Sequence, residues 1–375
     1  MTKIAHILHS VGGVDVYMRL LLNNINENEF ETIIIHGQND TLNPFKYKSG
    51  NPAKEYKTNI VREISPIKDI KSIIKCIKII RKEKPNVIHA HSAKGGVIGR
   101  IVGKLTNTQV FYTPHAFSYL SQKNPFKRTI YLFIEKLLAN GNSKIIATSP
   151  SEKNRAIQDV GYKPENVIVL NNSINPINNI SSLSILKTWP DEYICTVGRP
   201  SYQKNIDLMI KVLYEINKKN KIHLVIMGVG HHADQLENVK KLIDKLDLSS
   251  QVTLLNWTER EDILNIISNS KLYISTSRYE GLPYSIIEAL ALSTPCIVTD
   301  SDGNRDLIVD GHNGYVIKNQ NTFDFKDKII HLLNNDEIHK QFSINSRSEF
   351  LQKYNVENNI KNLEKIYIAY SKKSI

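Results

Sequence analysis

The sequence predicts an α/β protein built from two doubly wound parallel sheets. Short runs rich in Ile and Val alternate with amphipathic segments along the whole chain. This alternation restarts after residue 191, and the 375 residues exceed a single domain of about 100–200 residues. Near-continuous apolar strands that alternate with helices form parallel sheets covered by helices on both faces.

Each half of the chain repeats the same order of strand and helix. In the first half the predicted strands are KIAHILHS, ETIIIHG, NVIHAHS, QVFYTPH, KIIATS and NVIVLNN. The helices between them span 17–24, 67–82, 94–104, 126–138 and 151–160. In the second half the strands are YICTVGR, IHLVIMG, QVTLLNW, KLYISTS and PCIVTD. Its helices span 205–218, 233–246, 260–269, 284–292 and 323–333, and a last helix spans 356–371.

The stretch between the two halves sets the domain boundaries. Residues 173–191 are rich in Asn, Ser and Pro and have no regular period, which is typical of a linker. We therefore expect one Rossmann-like domain at 1–172 and a second at 192–355. The C-terminal segment 356–375 could pack on either domain, including a return to the first.

Composition and charge narrow the class of protein. Lys and Arg number 49 against 37 Asp and Glu, which gives a formal net charge of +12. The three cysteines lie far apart, which argues against a disulfide framework or a zinc module. The first residues lack a signal-peptide pattern, and no apolar run approaches the roughly 20 residues of a spanning helix. We therefore expect a cytoplasmic protein.

Half of the net positive charge lies in one short segment. Between Lys57 and Lys84 there are nine basic and three acidic residues. Lysines recur at helical spacing opposite a row of isoleucines: Lys68, Lys71, Lys75, Lys78 and Lys82 against Ile67, Ile70, Ile74 and Ile77. This pattern fits an ordinary helix with a solvated lysine face, or a helix that lies on anionic lipid.

Loops that follow the strands contain residues suited to ligand binding, because ligands of open parallel sheets bind beyond the carboxyl ends of the strands. Gly12 and Gly13 follow the first strand, where adjacent glycines let backbone amides approach a phosphate. Gly228 begins a GxGxxA pattern that includes His231 and His232. The next strand does not end in an acidic residue, so we expect a nucleotide-proximal turn rather than a dinucleotide site.

Two other patterns are candidate metal sites, and we expect neither to bind metal. Asp300 and Asp302 form a DxD after a strand, where a solvated aspartate turn is equally natural. His89 and His91 alternate on a strand and share a face, but no carboxylate or thiolate partner can be named for them. The sequence therefore predicts no metal.

The strongest signals lie in the second half. Arg199 ends the strand YICTVGR and Lys204 begins the next helix, which places two cations where they can neutralise a diphosphate. Glu280 lies in the loop after KLYISTS, Pro283 suits the first helical turn, and Glu288 lies about one turn further on. Both carboxylates can accept hydrogen bonds from hydroxyl groups, although acids are also favoured at an ordinary helix start.

Together these motifs resemble those of the retaining glycosyltransferases of family 4, which have the GT-B fold. GGVD, GRPSYQKN and EGLPYSIIEAL resemble the family's glycine loop, Arg/Lys diphosphate motif and E-x7-E motif. HAHSAKGGVIGR, TPHAFSY, ATSPSEK and DGNRDLIVDGHNGYVI also match in order and spacing. The likeness is greatest to enzymes of bacterial capsular and exopolysaccharide assembly. It implies two Rossmann-like domains that face a central cleft.

The resemblance implies roles for the matching residues. The donor would be bound by Gly12, Gly13, Arg199, Lys204, Gly228, Glu280, Gly281, Leu282, Pro283, Ser285 and Glu288. Glu288 would bind the ribose, Glu280 the donor sugar, and the two cations the diphosphate. Catalysis would depend on His115, Arg199, Lys204 and Glu280, although His115 also suits a purely structural role. The acceptor would be bound by Asp15, His91 and Lys94, but many relatives have Glu where this chain has Asp15.

The reaction implied by the resemblance is sugar transfer from a UDP-sugar, an N-acetylated hexosamine or a deoxy relative, to a polyprenyl-diphosphate-linked saccharide. Neither a cofactor nor a nucleic-acid partner is implied, and the protein could sit on the inner face of the cell membrane. Transfer to a soluble acceptor and a nucleotide-sugar epimerase on a similar scaffold are alternatives. A binding protein that lost its chemistry is disfavoured, because all four of Arg199, Lys204, Glu280 and Glu288 are present.

Overall fold

The structure is a computed structural model that describes residues 1–41, 43–61, 63, 65–139, 141–230 and 233–371. The chain forms two compact units. The first contains Met1–Asn172 and the chain from Val356 onward, and the second contains Ser173–Asn355. Each unit contains one parallel sheet packed with helices, which confirms the predicted fold class.

The first unit is organised around a seven-stranded sheet in the order β3-β2-β1-β4-β5-β6-β7. Its strands are β1 (Thr2–Ile7), β2 (Phe30–Gly37), β3 (Lys54–Thr58), β4 (Val87–His91), β5 (Gln109–Thr113), β6 (Ser143–Ala147) and β7 (Val167–Val169). Its helices up to the domain boundary are α1 (Gly13–Asn24), α2 (Pro66–Glu83), α3 (Ser92–Thr106), α4 (Pro125–Ala139) and α5 (Pro150–Arg155). Adjacent strands are parallel, and Ile4 of β1 lies beside Thr32 of β2 and Val87 of β4.

The second unit has a six-stranded parallel sheet in the order β10-β9-β8-β11-β12-β13. Its strands are β8 (Tyr193–Val197), β9 (His223–Met227), β10 (Val252–Leu254), β11 (Leu272–Ser275), β12 (Cys296–Thr299) and β13 (Gly314–Ile317). Its helices are α6 (Ile206–Asn217), α7 (Leu236–Lys245), α8 (Arg260–Ser268), α9 (Tyr284–Ala291), α10 (Asn304–Leu307), α11 (Thr322–Leu333) and α12 (Asp336–Glu349).

The strand order reverses at one place in each sheet. β1 lies between β2 and β4, and β8 lies between β9 and β11. A parallel sheet has a crevice at this reversal, beyond the carboxyl ends of the strands, where ligands bind. In the second unit the loops after β8 and β11 flank that crevice, and these are the loops that contain Arg199 and Glu280.

The last helix, α13 (Val356–Ser371), belongs to the first unit. Ile360 and Leu363 pack with Ile4 and Phe30, and the fully buried Tyr367 reaches the sheet. The helix therefore returns to the first unit after the chain has completed the second. None of the described helices is long and apolar enough to cross a bilayer.

Residues 173–191, which the sequence predicts as a linker, group with the second unit. The Ser184 hydroxyl donates to Asp262 over 2.6 Å. The buried Trp189 packs edge-on against Tyr193, with ring centroids 6.1 Å apart. These contacts hold the end of the stretch against β8 and α8.

Candidate functional site

The loop after β8 presents one paired and one unpaired cation. The Lys204 side chain, just before α6, packs closely against Gly198. A Cβ at residue 198 would lie 3.2 Å from Cγ and Cδ of Lys204, so glycine leaves room for this side chain. The Nζ atom of Lys204 forms an ion pair with Glu280 over 2.8 Å. Arg199 is half-buried and has no hydrogen bond or ion pair within the described part of the chain. Its charge is therefore available to an anion at the strand reversal.

Glu280 is the most heavily bonded side chain of the site. Its Oε1 accepts from Lys204 and, at 2.7 Å, from the Ser277 hydroxyl, and its Oε2 accepts from Gln203 at 3.0 Å. The side chain is only 8% exposed, so its orientation is fixed by these three donors. A carboxylate oxygen has two lone pairs, so Oε2 keeps one position for a further hydroxyl.

Backbone contacts tie the Glu280 loop to its neighbours. The backbone N–H of Glu280 donates to the Asp302 carbonyl over 3.1 Å, and that of Arg278 donates to the Gln203 carbonyl over 2.8 Å. Gly303 has a φ of +78°, and a Cβ there would lie 2.7 Å from the Gly281 carbonyl oxygen. Only glycine allows this approach, so residue 303 helps to fix the position of Glu280.

Glu288 lies on α9 and forms a second charged pair. Its Oε1 accepts from Nε of Arg260 on α8 over 3.1 Å, and its side chain is 13% exposed. Burial raises the pKa of the Glu288 carboxyl, and the Arg260 charge opposes that shift. Pro283 is the N-cap of α9, with φ −71° and ψ 125°, rather than part of the first helical turn as predicted. The first amides of the helix, including that of Ser285, follow directly.

Gly228 closes β9 beside this site. Its φ is +83°, and a Cβ there would lie 4.0 Å from the backbone nitrogen of Gly198. The turn is therefore next to the end of β8, and a contact between this turn and a nucleotide remains a prediction. His231 and His232, the later residues of this pattern, lie outside the described residues.

The DxD carboxylates are paired with an arginine. Arg305 donates from Nε to Asp300 over 2.5 Å and from Nη1 to Asp302 over 3.0 Å. Both aspartates are thus bound to the same guanidinium on α10. This arrangement is that of an ion-paired turn, and the expectation that the DxD binds no metal remains a prediction.

In the first unit, the loop after β1 has the predicted glycines at the start of α1. Gly12 is the N-cap, with φ +60° and ψ −129°, and Gly13 is the first helical residue. Asp15 accepts from Nε of Arg19 and from the Ser10 hydroxyl, both over 2.8 Å. Because this carboxylate is already paired, a contact between Asp15 and an acceptor remains a prediction.

Lys94 and His91 also have partners inside the first unit. Lys94 bridges α3 to α2 through Asp69, at 2.7 and 2.8 Å from the two carboxylate oxygens. His91 is fully buried, and its two ring nitrogens face His6 and His115 at 2.9 and 3.2 Å. Because both ring nitrogens of His91 are engaged inside the unit, a contact between His91 and an acceptor remains a prediction.

Three histidines of this unit gather in one buried cluster. His6 of β1 joins His89 and His91 of β4, and each offers a ring nitrogen within 4.8 Å of the others. Both ring nitrogens of His89 are engaged, with the Tyr367 hydroxyl at 2.6 Å and Thr113 at 2.8 Å, and both of His91 are engaged as well, whereas Nε2 of His6 has no hydrogen-bond partner among the described residues. The cluster is therefore a hydrogen-bonded assembly. Sequence spacing could not identify His6 as a member of this cluster, because β1 is distant from β4 in sequence and adjacent to it only in the sheet.

His115 sits on a strained turn after β5. His115 and Ala116 have φ values of +52° and +75°, a region that disfavours residues with a Cβ by roughly 1–2 kcal/mol each. The buried Glu152 holds the turn by accepting from the Ala116 backbone N–H at 2.8 Å and from that of Thr148 at 2.7 Å. Glu152 lies in the ATSPSEK motif, and its supporting role could not be read from that motif alone.

Comparison with known proteins covers both units. The family model described as glycosyl transferases group 1 matches residues 185–349, and the model described as glycosyltransferase family 4 matches residues 11–177. This chain is a family 4 glycosyltransferase of the GT-B fold. The matched ranges contain Glu280 and Glu288 in the second unit and the histidine cluster from His89 onward in the first.

Relatives of this glycosyltransferase cover most of its length. An Escherichia coli UDP-Gal:alpha-D-GlcNAc-diphosphoundecaprenol alpha-1,3-galactosyltransferase is 28% identical over 82% of each chain. The Staphylococcus aureus capsular polysaccharide biosynthesis glycosyltransferase CapM is 26% identical over 87% of this chain and 89% of its own. Sucrose-phosphate synthase from Thermosynechococcus elongatus superposes with a TM-score of 0.86 at 18% identity over 100% of both chains. Anabaena HepE in complex with UDP and glucose superposes at 0.80, with 17% identity over 98% of this chain and 100% of its own.

The buried histidines predict that acid destabilises the first unit. Burial lowers the pKa of His6 and of His115 from 6.5 to about 3. Below pH 6.5 the unfolded chain therefore binds more protons than the folded chain, and the free energy of unfolding falls by about 1.4 kcal/mol per pH unit for each histidine. Between pH 7 and pH 5 we expect a loss of about 2 kcal/mol for each.

Denaturant unfolding at the two pH values measures this loss. The variant His115→Asn lacks one titrating group, so its stability should decrease less between pH 7 and pH 5 than that of the unmodified chain. Equal pH dependence of the variant and the unmodified chain would contradict the assignment of His115 as an imidazole that stays neutral in the folded chain.

Proposed function

We propose that this glycosyltransferase transfers a sugar from a UDP-sugar to a polyprenyl-diphosphate-linked saccharide, with retention of anomeric configuration, during capsular or exopolysaccharide assembly. The observation that supports it most is the half-buried, unpaired Arg199 beside the Lys204–Glu280 pair at the strand reversal of the second unit. An anion and a hydroxyl-bearing group could both be bound there. The names of the E. coli and S. aureus relatives favour this donor, this acceptor class and this pathway.

Within this proposal the two cations bind the diphosphate. Arg199 supplies an unpaired guanidinium, and Lys204 can contact a phosphate oxygen while it remains beside Glu280. Both charges stabilise the negative charge that develops on the departing diphosphate, which is electrostatic preorganisation. Glu280 uses its remaining Oε2 position for a sugar hydroxyl, and an N-acetylated hexosamine or a deoxy relative is the donor sugar we propose.

The proposed reaction is a front-face displacement. The bond between the anomeric carbon and the diphosphate oxygen breaks, and its electron pair stays on the diphosphate. The acceptor hydroxyl oxygen then bonds to the anomeric carbon on the same face, and its proton passes to the departing phosphate oxygen. The atoms balance without an enzymic nucleophile, so positioning and charge are the protein's contribution.

A donor panel tests the proposed function. UDP-sugars are incubated with the chain, with and without a polyprenyl-diphosphate-linked saccharide, and released UDP and products are measured. The proposal predicts UDP release that depends on the lipid-linked acceptor, and an α-linked product from an α-linked donor. Conversion of the donor sugar without any acceptor would indicate an epimerase, and transfer to a water-soluble saccharide alone would refute the lipid-linked acceptor.

The two glutamates should have separable effects. Glu288, which is paired with Arg260, binds the ribose equally in the ground state and in the transition state. Glu288→Gln should therefore raise the donor KM and weaken binding of free UDP. Glu280 binds the sugar as charge develops, so Glu280→Gln should lower kcat by roughly ten- to hundred-fold, and it should not weaken UDP binding, because Lys204 keeps its positive charge. Steady-state kinetics and UDP calorimetry measure both. Equal loss of UDP affinity in the two variants would contradict this division.

We propose that turnover needs no divalent metal. Asp300 and Asp302 are both paired with Arg305, and Arg199 and Lys204 supply the positive charge that a metal would otherwise provide. Excess EDTA should therefore leave the rate unchanged. Loss of turnover in EDTA that is restored by magnesium or manganese would show that the DxD binds metal after all.

The proposed lipid-linked acceptor requires a membrane partner, and α4 has the surface for one. Four large apolar side chains at positions i, i+4, i+7 and i+11 of this helix are between 39% and 74% exposed: Phe126, Ile130, Phe133 and Leu137. The structure describes every residue of α4, and Glu135 is the only one of them that is buried. It pairs with the buried Arg100 over 2.7 Å. The helix is attached to the unit through this ion pair and through the partly buried Tyr131, Leu132 and Ala139, and its apolar row is directed outward.

Helix α2, which packs against α3 as α4 does, also has exposed apolar residues. Ile67, Ile70 and Ile74 are 70%, 58% and 50% exposed, whereas Ile77, the last of the isoleucine row, is partly buried against the core. The buried face instead includes Cys76 and Ile79. Because α3 packs against both α2 and α4, the exposed apolar residues and the lysines of α2 belong to one layer of helices. A basic surface with outward apolar residues suits anionic lipid, at about 1 kcal/mol per lysine near the surface.

Flotation with vesicles tests the membrane partner. Anionic vesicles at low salt should bind the chain, and neutral vesicles or high salt should reduce the bound fraction. Phe126→Ser combined with Phe133→Ser should lower partitioning at least about tenfold, since each buried aromatic contributes about 1.5–3 kcal/mol. Phe323→Ser removes a similarly exposed phenylalanine from α11 and should have no effect. Equal binding to neutral vesicles, or unchanged binding of the double variant, would overturn this part of the proposal.

A further inference from the structure

Four clustered histidines of the first unit, of which His115 is only partly buried, form two hydrogen-bonded chains. One runs from Tyr367 through His89 to Thr113, and the other connects His6, His91 and His115. Each neutral imidazole has one N–H and one lone pair. Once one group in a hydrogen-bonded chain is known to be a donor or an acceptor, the donor-to-acceptor direction of the whole hydrogen-bonded chain is therefore fixed. The direction decides which nitrogen of His115 has the hydrogen.

The first chain has an unambiguous end. The Thr113 hydroxyl lies 2.9 Å from the carbonyl oxygen of Ile146, which can only accept. The hydroxyl therefore donates to that carbonyl and accepts from Nε2–H of His89 at 2.8 Å. Nδ1 of His89 then has the lone pair and accepts from the Tyr367 hydroxyl at 2.6 Å. This chain is complete, and it supplies no hydrogen to the second chain.

The second chain ends at a buried atom without a partner. Nε2 of His6 is sealed from solvent and has no hydrogen-bond partner among the described residues. Nδ1 of His6 lies 2.9 Å from Nε2 of His91, and Nδ1 of His91 lies 3.2 Å from Nε2 of His115. The unpartnered nitrogen has either an N–H or a lone pair. A buried N–H without an acceptor is rarer than a buried lone pair without a donor, and it costs more free energy. Nε2 of His6 therefore has the lone pair, and its Nδ1 has the hydrogen.

We propose that His6 and His91 are positioning residues that hold His115 as a hydrogen-bond donor. Nδ1–H of His6 donates to His91, and Nδ1–H of His91 donates to Nε2 of His115, so the one hydrogen of His115 is on Nδ1. Nδ1 of His115 has no partner within the described residues and is not among the polar atoms sealed from solvent. It offers an N–H to a ligand oxygen, either a hydroxyl or a phosphate oxygen, and has no lone pair with which to accept a proton.

The surroundings of His115 support this assignment. Burial lowers the pKa of His115 to about 3 and that of His91 well below its usual value, so each ring keeps a single hydrogen at neutral pH. Tyr17 of α1 packs against both rings, with centroids 5.1 Å from each. The turn held by Glu152 fixes the backbone of His115. The tautomer is independent of the proposed function, whereas the ligand oxygen that it recognises rests on that function.

Nitrogen-15 spectroscopy of the full chain labelled in histidine tests the tautomer directly. The His115 signals are assigned by their loss in His115→Asn. We expect a protonated-type Nδ1 and an unprotonated Nε2 at pH 7. The opposite pattern, an averaged mixture of the two tautomers, or protonation of both nitrogens would overturn the proposal. The unmodified chain gives the result, so it does not depend on a variant that folds.

Replacement of His91 tests the positioning role. His91→Phe removes the donor to Nε2 of His115, so the His115 signals should move towards the Nε2–H form. His223→Gln, in the second unit, should leave them unchanged. A His115 that keeps its Nδ1–H pattern in a folded His91→Phe chain would refute the role of His91, and if that variant does not fold, the spectrum of the unmodified chain still decides the tautomer.

Kinetics test the donor role. His115→Asn keeps an N–H near the position of Nδ1, whereas His115→Gln extends its amide towards Nε2. The asparagine variant should retain a kcat about tenfold above that of the glutamine variant. If the two variants had equal rates and the unmodified chain showed the expected tautomer, the contact between His115 and the substrate would be refuted, and the tautomer assignment would stand. Absence of transfer by the unmodified chain would instead refute the proposed function and leave the spectroscopic result unaffected.

Discussion

The ion pair between Lys204 and Glu280 is the interaction on which the donor site depends. It joins the loop after β8 to the loop after β11, across the place where the strand order of the second sheet reverses. With Gln203 and Ser277 it fixes a carboxylate that is 8% exposed, and it leaves Arg199 unpaired beside it. Removing either partner would leave a largely buried charge without a counter-ion, so the charge arrangement and the loop geometry are coupled.

Much of the fold could be predicted because parallel strands are buried on both faces and read as continuous apolar runs. Of the two strands that the prediction lacks, β3 is an exception to this pattern, whereas β13 is a short apolar strand. β3 has the sequence KEYKT and is an edge strand, where one exposed side permits charged residues. β13 is also an edge strand and begins at Gly314, where a Cβ would lie 2.0 Å from the Cys296 carbonyl oxygen. Helix α12 is mostly polar along its length, so its apolar period is weak.

The site was predictable where one loop contains all of its chemistry, as in GRPSYQKN and EGLPYSIIEAL. Contacts between distant segments could not be read from spacing. Arg260 pairs with Glu288 from another helix, Arg305 neutralises the DxD, and His6 joins His91 only because β1 and β4 are neighbours in the sheet. The lysine periodicity of α2 was visible in the sequence, whereas the outward apolar row of α4 follows from the burial of Glu135, which no local pattern reports.

Calorimetric titration of UDP into the full chain tests the central claim most directly, because it measures binding at the strand reversal without any sugar or acceptor. We expect UDP to bind and Arg199→Gln to weaken binding by roughly ten- to hundred-fold, which corresponds to the loss of a charge-assisted hydrogen bond. Arg155→Gln removes an arginine of the first unit that pairs with Asp159 and should bind UDP like the unmodified chain. Unchanged UDP affinity in Arg199→Gln would contradict the account.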